Sequence, residues 1–284
     1  MEGRWGVPKE GAHGAVREQI MRISNAPSAP CWADLSTPEP AAAHRFYGAL
    51  FGWETWVVPD PAAGGYGVFQ LGGAAVGGVG PTAAEDRPAA WLPYFQSAGA
   101  DAVTARVEGN GGTVTLGPED VLEQGRMALC ADPTGAAFGV WQPRERPGFG
   151  VANEPGSFCW FELAARDTAR PKDFYAAVFG WASRSRPFGA GGSEYTEWTV
   201  SDQPFGGMAP MSGAFPPSVR AHWLVYVAVD DCDAAAARCA RQGGDVLVPP
   251  TTVEPGRFSV LADPQGAVFA VLAFGALSDL GRGA

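Results

Sequence analysis

Hydrophobic and polar positions alternate along residues 30–35, which predicts a β-strand. Apolar residues then recur at the i, i+3, i+4, i+7 spacing of one helical face, at Ala43, Phe46, Tyr47 and Leu50. Thr37 followed by Pro38 is typical of a helix start, with Thr37 as the N-cap residue. Gly52 is expected to end the helix. The pattern therefore predicts a strand followed by one amphipathic helix.

Short segments between clusters of Gly and Pro predict the elements that follow. They are strands at Glu54–Val58, Gly67–Leu71 and Ala74–Val79, a strand at Trp91–Gln96, a helix at Ala100–Glu108, and strands near Thr113–Leu116, Met127–Cys130 and Ala136–Trp141. A DPxG turn joins the last two strands, and its Gly supplies a positive φ. The order strand, helix, three strands thus occurs twice before residue 142.

The chain repeats itself at a spacing of about 130 residues. The matching segments are Cys31–Leu35 with Cys159–Leu163, Phe46–Trp53 with Phe174–Trp181, Trp91–Tyr94 with Trp223–Tyr226, and Asp132–Phe138 with Asp263–Phe269. Each half therefore contains two βαβββ units, and the chain contains four.

Composition changes along the chain predict the domain boundaries. Residues 1–27 are expected to form a flexible tail without the apolar segment of a secretion signal. The first domain is expected at 28–146, a linker rich in Pro, Gly and charge at 147–156, and the second domain at 157–275. Residues 276–284 are expected to form a C-terminal tail.

Charge and cysteine content limit the classes of function. The chain has 284 residues, is 46% hydrophobic and carries a formal net charge of -10, which disfavours binding to nucleic acid. No apolar run approaches the about 20 residues that cross a bilayer. The five cysteines form no CxxC pair, so we expect reduced, buried thiols in a cytoplasmic protein.

Four βαβββ units, the repeated helix motifs FYGALFGW and FYAAVFGW, and a closing DPxG strand resemble the vicinal oxygen chelate superfamily. That group includes glyoxalase I, bleomycin-resistance proteins, fosfomycin-resistance enzymes and extradiol dioxygenases. The Trp-x-Asp/Glu-Leu motif on the first strand of each half is similar to a tandem, actinobacterial-type subgroup. Over residues 28–275 the resemblance implies an α+β fold, with four units paired into two glyoxalase/bleomycin-resistance-like domains that have curved mixed sheets.

The same resemblance implies where a divalent metal would be held. Relatives use His, Gln or Glu on the first strand of each unit and Glu on the last strand. The corresponding positions in this chain carry no side-chain donor for a metal: Trp32, Trp160, Leu92, Leu224, Gly139 and Ala270. We therefore expect no metal cofactor.

An improvised metal site is the remaining alternative. The chain has three histidines. His13 lies in the predicted tail and His44 on the first helix, so only His222 begins a predicted strand of the cup. His222 could then bind a divalent metal together with Glu162 or Glu197.

Aromatic and acidic residues are expected to line each cup instead. Because alternate residues of a strand share a face, Asp34 is expected beside Trp32 and Glu162 beside Trp160. The further candidates for ligand binding are Tyr66, Tyr94, Tyr195, Tyr226, Glu197 and His222. Rings can stack on a flat or cationic molecule, and a carboxylate can orient it.

Each candidate also has a structural interpretation. The two tryptophans could fill the space that metal and substrate occupy in relatives, and the acidic residues could bond backbone amides or an arginine. The tyrosines could fill the barrel, and His222 could cap a strand. Arg126 and Arg257, each after Gly in a turn, could hold a domain interface.

The sequence thus predicts a small-molecule binding protein, monomeric or homodimeric. Its partner is expected to be a small hydrophobic, aromatic or cationic molecule, with neither nucleic acid nor membrane involved. One alternative is a metal-independent isomerase, cyclase or lyase, in which burial beside Trp raises the pKa of Asp34 or Glu162 and makes it a general acid or base. A second alternative is a metal-dependent lyase or dioxygenase of the same superfamily.

Overall fold

The computed structural model describes residues 26–82, 88–188, 193–211, 215–254 and 256–275. The first half of the chain contains β1 (Pro30–Thr37), α1 (Pro40–Phe51), β2 (Glu54–Val57), β3 (Gly67–Leu71), β4 (Ala74–Pro81), β5 (Ala90–Gln96), α2 (Ala100–Gly109), β6 (Thr113–Val121), β7 (Gly125–Ala131) and β8 (Ala137–Pro143). The second half contains β9 (Phe158–Ala165), α3 (Arg170–Phe179), β10 (Ala182–Phe188), β11 (Ser193–Val200), β12 (Gln203–Pro210), β13 (His222–Ala228), α4 (Cys232–Arg241), β14 (Asp245–Val253), β15 (Gly256–Ala262) and β16 (Val268–Phe274).

Each half of the chain forms one eight-stranded mixed sheet. The strand orders are β2-β3-β4-β1-β5-β8-β7-β6 and β10-β11-β12-β9-β13-β16-β15-β14. In every βαβββ module the first strand runs parallel to the fourth, whereas the three strands after the helix are antiparallel to one another. The predicted α+β class with four βαβββ modules and mixed sheets is confirmed.

The described chain divides into two compact units. Unit 1 contains residues 26–31, Leu92–Gly148 and Trp160–Leu224, and therefore most of the second and third modules. Unit 2 contains Trp32–Trp91, Phe149–Cys159 and residues 225–275, and therefore most of the first and fourth. The predicted boundaries in chain order stay a prediction, and the predicted tails lie outside the described residues except at 26 and 27.

Helix α1 begins later than the pattern predicts. The N-cap residue is Glu39 rather than Thr37, and Pro40 begins the helix. Thr37 instead ends β1, where its hydroxyl accepts a hydrogen bond from the Glu39 N–H at 3.3 Å. Proline is tolerated in the first turn because that N–H has no intrahelical partner. Gly52 ends the helix as predicted, with a left-handed φ of 77°.

A buried chain of hydrogen bonds organises the aromatic core of unit 2. The Trp91 indole donates to the Tyr47 hydroxyl at 2.9 Å, and Tyr47 donates to Asp263 Oδ2 at 3.1 Å. The other oxygen, Asp263 Oδ1, accepts from the backbone N–H groups of Gln265 and Ala267. One aspartate therefore closes the DPxG turn and also satisfies the buried tyrosine of α1, as a buried polar group requires.

Unit 1 contains the same arrangement. The Trp223 indole donates to the Tyr175 hydroxyl at 3.0 Å, and Tyr175 donates to Asp132 Oδ2 at 3.2 Å. Burial, and after it the nearby aspartate, raises the pKa of each of these tyrosines well above its usual value, so both hydroxyls stay protonated donors. The aromatic residues of the FY helix motif belong to the core.

The two arginines that follow Gly on β7 and β15 pair with helices. Arg126 contacts Asp101 and Asp120 at 3.0 and 3.1 Å, and Arg257 contacts Asp233. Asp101 and Asp233 lie in the first turns of α2 and α4, so each arginine connects a helix to its own module. Exposed pairs of this kind contribute little stability, because water and salt screen the two charges.

The five cysteines are free and buried, as predicted. Burial raises the pKa of the Cys130 thiol to about 12. Within the part of the chain that the structure describes, no helix is long and apolar enough to span a bilayer.

Candidate functional site

Trp32, Asp34 and Tyr66 form a hydrogen-bonded set, which we call the first-half cluster. The Trp32 indole donates to Asp34 Oδ1 at 2.9 Å and to the Tyr66 hydroxyl at 3.0 Å. The Tyr66 hydroxyl donates to the same Asp34 oxygen at 2.6 Å. Trp32 and Asp34 share a face of β1 because they are two residues apart. The contact between Trp32 and Asp34 is the one that strand alternation predicts.

A glycine makes room for the first-half cluster. Gly78 on β4 lies directly opposite Asp34 in the parallel pair of β1 and β4. A Cβ atom at this position would overlap the Tyr66 hydroxyl and Asp34 Oδ1. Any larger residue would therefore displace the tyrosine from the carboxylate.

Trp160, Glu162 and Tyr195 form the equivalent second-half cluster. The Trp160 indole donates to the Tyr195 hydroxyl at 2.9 Å, and Tyr195 donates to Glu162 Oε2 at 3.0 Å. Gly207 lies opposite Glu162, and a Cβ there would overlap the Tyr195 hydroxyl. The tryptophan, acid, tyrosine and glycine therefore recur together in both halves, although Glu replaces Asp.

The protonation state of Tyr195 follows from its surroundings. Burial and then the charge of Glu162 raise the pKa of Tyr195 well above its usual value, although the Trp160 hydrogen bond and the Arg186 charge lower it. The hydroxyl is therefore a neutral donor to Glu162 near pH 7. The hydrogen bonds therefore run in one direction, from the Trp160 indole through the Tyr195 hydroxyl to the Glu162 carboxylate. Such a chain can orient a polar group of a ligand.

The two tryptophans differ in how far they are covered. Trp32 is only 5% exposed, and its ring stacks on Phe149 with centroids 5.8 Å apart and an interplanar angle of 30°. Trp160 is half-buried. The space-filling interpretation therefore suits Trp32, whereas Trp160 retains surface that a ligand could contact.

The predicted tyrosines on the first strands of the second and fourth modules are buried. Tyr94 lies opposite Gly139, and its ring occupies the space that a side chain at 139 would need. Tyr226 lies opposite Ala270, and its ring is 6.5 Å from that of Phe258. In unit 1 the tyrosine ring therefore covers a position that the superfamily resemblance assigns to a metal-binding Glu.

Glu197 and His222 lie on two different strands of unit 1. Glu197 is half-buried on β11 and lies opposite Gly207. His222 begins β13, where its Nδ1 lies 2.9 Å from the Arg220 carbonyl oxygen. Across residues 26–82, 88–188, 193–211, 215–254 and 256–275, no three side chains of the types His, Cys, Asp and Glu are grouped to hold a metal. The residues at the positions that the superfamily resemblance assigns to metal ligands carry no side-chain donor, and the absence of a metal cofactor stays a prediction.

Sequence reasoning missed two arginines beside the second-half cluster. Arg186 lies opposite Tyr195 in the β10–β11 pair, and its Cζ is 5.7 Å from the centroid of the tyrosine ring. Arg184, two residues earlier, lies opposite Glu197. Because the two arginines are two residues apart on β10, the sequence could have placed them on one face of that strand. The register of the neighbouring strand β11 was needed to show which face of the sheet this is.

The chain is similar to one family model and to several curated proteins. A model described as a glyoxalase-like domain matches residues 160–272. The anthracycline biosynthesis protein DnrV of Streptomyces peucetius is 41% identical over 261 residues, which cover 87% of this chain and 94% of DnrV.

Solved structures share the fold at low sequence identity. The 2,3-dioxygenase LapB from Pseudomonas sp. KL28 has a TM-score of 0.61 and 15% identity, covering 87% of this chain and 92% of that chain. The Mn(II)-bound glyoxalase from Novosphingobium aromaticivorans has a TM-score of 0.60 and 18% identity, covering 87% and 83%. At these identities the likeness concerns the fold alone.

Proposed function

Because this chain belongs to the glyoxalase-like family of the vicinal oxygen chelate superfamily, we propose that it binds a small, flat aromatic molecule at the second-half cluster. The observation that carries the proposal is the Trp160–Tyr195–Glu162 set, in which two aromatic rings are oriented by hydrogen bonds toward one carboxylate. Rings held in this way can stack on a planar ligand, while the acid orients a donor group of that ligand.

The relationship to DnrV narrows the ligand class. DnrV is named for anthracycline biosynthesis and aligns with most of this chain. That relationship supports a ligand with fused aromatic rings. Such a ligand has a large apolar face, and burying that face against half-buried Trp160 would contribute favourable binding free energy.

The carboxylates suit an orienting role better than a role as general acid. Asp34 accepts hydrogen bonds from both Trp32 and Tyr66, and Glu162 accepts one from Tyr195. A carboxylate oxygen that accepts such hydrogen bonds is held in place, so it can orient a donor group of a ligand. A metal-independent isomerase, cyclase or lyase is the second candidate, because the chain of hydrogen bonds from Trp160 to Glu162 could also move a proton.

Binding can be tested by calorimetric titration of the purified full chain with anthraquinone-2-methanol, a neutral fused aromatic alcohol. We expect saturable binding. Replacing the indole in Trp160→Leu should weaken it by about threefold to tenfold, since an aromatic contact contributes about 0.5–1.5 kcal/mol. The matched variant Trp32→Leu should leave the affinity unchanged, because Phe149 already covers that ring. No binding, or equal losses in both variants, would contradict the proposal.

Two further measurements separate the alternatives. Mass spectrometry of the incubated ligand should show no product if the protein only binds it. A product that Glu162→Gln abolishes without loss of affinity would instead favour the metal-independent enzyme. Elemental analysis of the purified chain addresses the metal-dependent alternative, which stoichiometric Mn, Fe, Zn or Ni would support.

A further inference from the structure

A row of four residues crosses the sheet beside the second-half cluster. Glu162 on β9 lies opposite Gly207 on β12, Gly207 lies opposite Glu197 on β11, and Glu197 lies opposite Arg184 on β10. Directly opposite residues on neighbouring strands project to the same face of a sheet. The three charged side chains of this row therefore share the face that carries Trp160.

Arg186 extends this charged face. Its guanidinium lies over the Tyr195 ring, and Arg184 and Arg186 are both exposed. In the described part of unit 1, no ion pair joins either guanidinium to a carboxylate. Two cations that have no carboxylate partner in that part of the chain thus lie next to the aromatic rings of the second-half cluster.

The first half provides an internal comparison. Its equivalent row is Asp34, Gly78, Val68 and Trp56, in the same register. Val68 stands where the second half has Glu197, and Trp56 stands where it has Arg184. Val58, whose backbone N–H bonds the Tyr66 carbonyl at 2.9 Å, corresponds to Arg186.

The charges are therefore not required by the fold, because the first half builds the same module without them. A guanidinium is a fork of N–H donors that matches a carboxylate, and it also stacks on aromatic rings. Glu162 already accepts the Tyr195 hydroxyl. The arginines are the groups on this face whose donors are left for a ligand.

We infer that the second-half face selects an aromatic ligand that carries an anionic group, with its rings against Trp160 and Tyr195 and its carboxylate or phenolate at Arg184 and Arg186. This inference rests on the proposed function and adds the charge of the ligand to it. It also distinguishes the halves, because the first-half face offers no cation at the matching positions.

Three probes of one ring system test the inference: anthraquinone-2-carboxylate, neutral anthraquinone-2-methanol and a cationic 2-(aminomethyl)anthraquinone. Each is titrated calorimetrically into the full chain. The carboxylate should bind about threefold to tenfold more tightly than the alcohol, as expected for charge-assisted hydrogen bonds near a surface. The amine should bind most weakly. The preference for the carboxylate should shrink as salt is added.

The variants Arg184→Gln and Arg186→Gln should each reduce the preference for the carboxylate, and the double variant should abolish it. Affinity for the neutral alcohol should not change. Arg241→Gln at the end of α4 is the matched control, because it removes one exposed positive charge from a helix of unit 2. Circular dichroism melting checks that each variant is folded.

Two results would overturn the inference: an amine that binds more tightly than the carboxylate, or arginine variants that weaken all three probes equally. Either result would leave aromatic binding intact. If none of the three probes binds the unmodified chain, the proposed function itself fails.

Discussion

A methyl group added at Gly78 is expected to break the first-half cluster. In Gly78→Ala the new Cβ overlaps the Tyr66 hydroxyl and the Asp34 carboxylate, and the parallel pairing of β4 with β1 prevents the backbone from moving away. Three side-chain hydrogen bonds are then lost or stretched. Each lost hydrogen bond costs about 0.5–1.5 kcal/mol, part of which is recovered by hydrogen bonds to water. Overpacking costs about 1–3 kcal/mol more. Together these changes should lower the free energy of unfolding by about 2–4 kcal/mol.

Urea unfolding followed by circular dichroism measures this loss of stability. The m-value, which is the slope of the unfolding free energy against urea concentration, should stay unchanged. Gly109→Ala is the control, since a Cβ there meets open space. In the double variant with Tyr66→Ala the overlap with the hydroxyl disappears, so the two losses should be less than additive. If Gly78→Ala unfolds at the same urea concentration as the unmodified chain, the described packing of the cluster is wrong.

Three further predictions concern buried groups. Tyr47→Phe leaves Asp263 and Trp91 each short of one partner and should cost about 1–3 kcal/mol of unfolding free energy, with Tyr175→Phe as the matched variant in unit 1. Burial raises the pKa of Asp263, so the folded state binds its proton more tightly than the unfolded chain does. Stability should then fall as pH rises from about 4 through the raised value, and Asp263→Asn should flatten that slope in urea titrations; an equal slope would contradict this assignment. With its pKa raised to about 12, the Cys130 thiol should react with iodoacetamide at neutral pH only after unfolding, as mass spectrometry can follow.

Local sequence patterns were sufficient to predict the helices and strands. They also predicted which acid accompanies the tryptophan of each cluster. Alternation placed Asp34 beside Trp32 because neighbours two residues apart on a strand share a face. Tyr66 and Tyr195 were both candidates for ligand binding, and each donates to the acid of its own half. The error at Thr37 arose because a hydroxyl at the end of a strand and one at a helix N-cap have the same local signature.

The covering of the two tryptophans could not be predicted in this way. Phe149 stacks on Trp32, but the two residues are far apart in the chain and no pattern relates them. The same holds for Asp263, which appears in the sequence only as part of a turn. Its bond to Tyr47 joins residues that are 216 positions apart.

The sequence by itself determined the four βαβββ modules, their aromatic cores and the acid that accompanies each tryptophan, because these follow from periodicity over a few residues and from duplication. The tertiary structure decided which strands pair and in which register. Register is set by packing between distant segments, and a shift by one residue would turn every side chain to the other face. Only that register brings Arg184 and Arg186 to the face of Trp160, and leaves Val58 and Trp56 at the matching places of the other half.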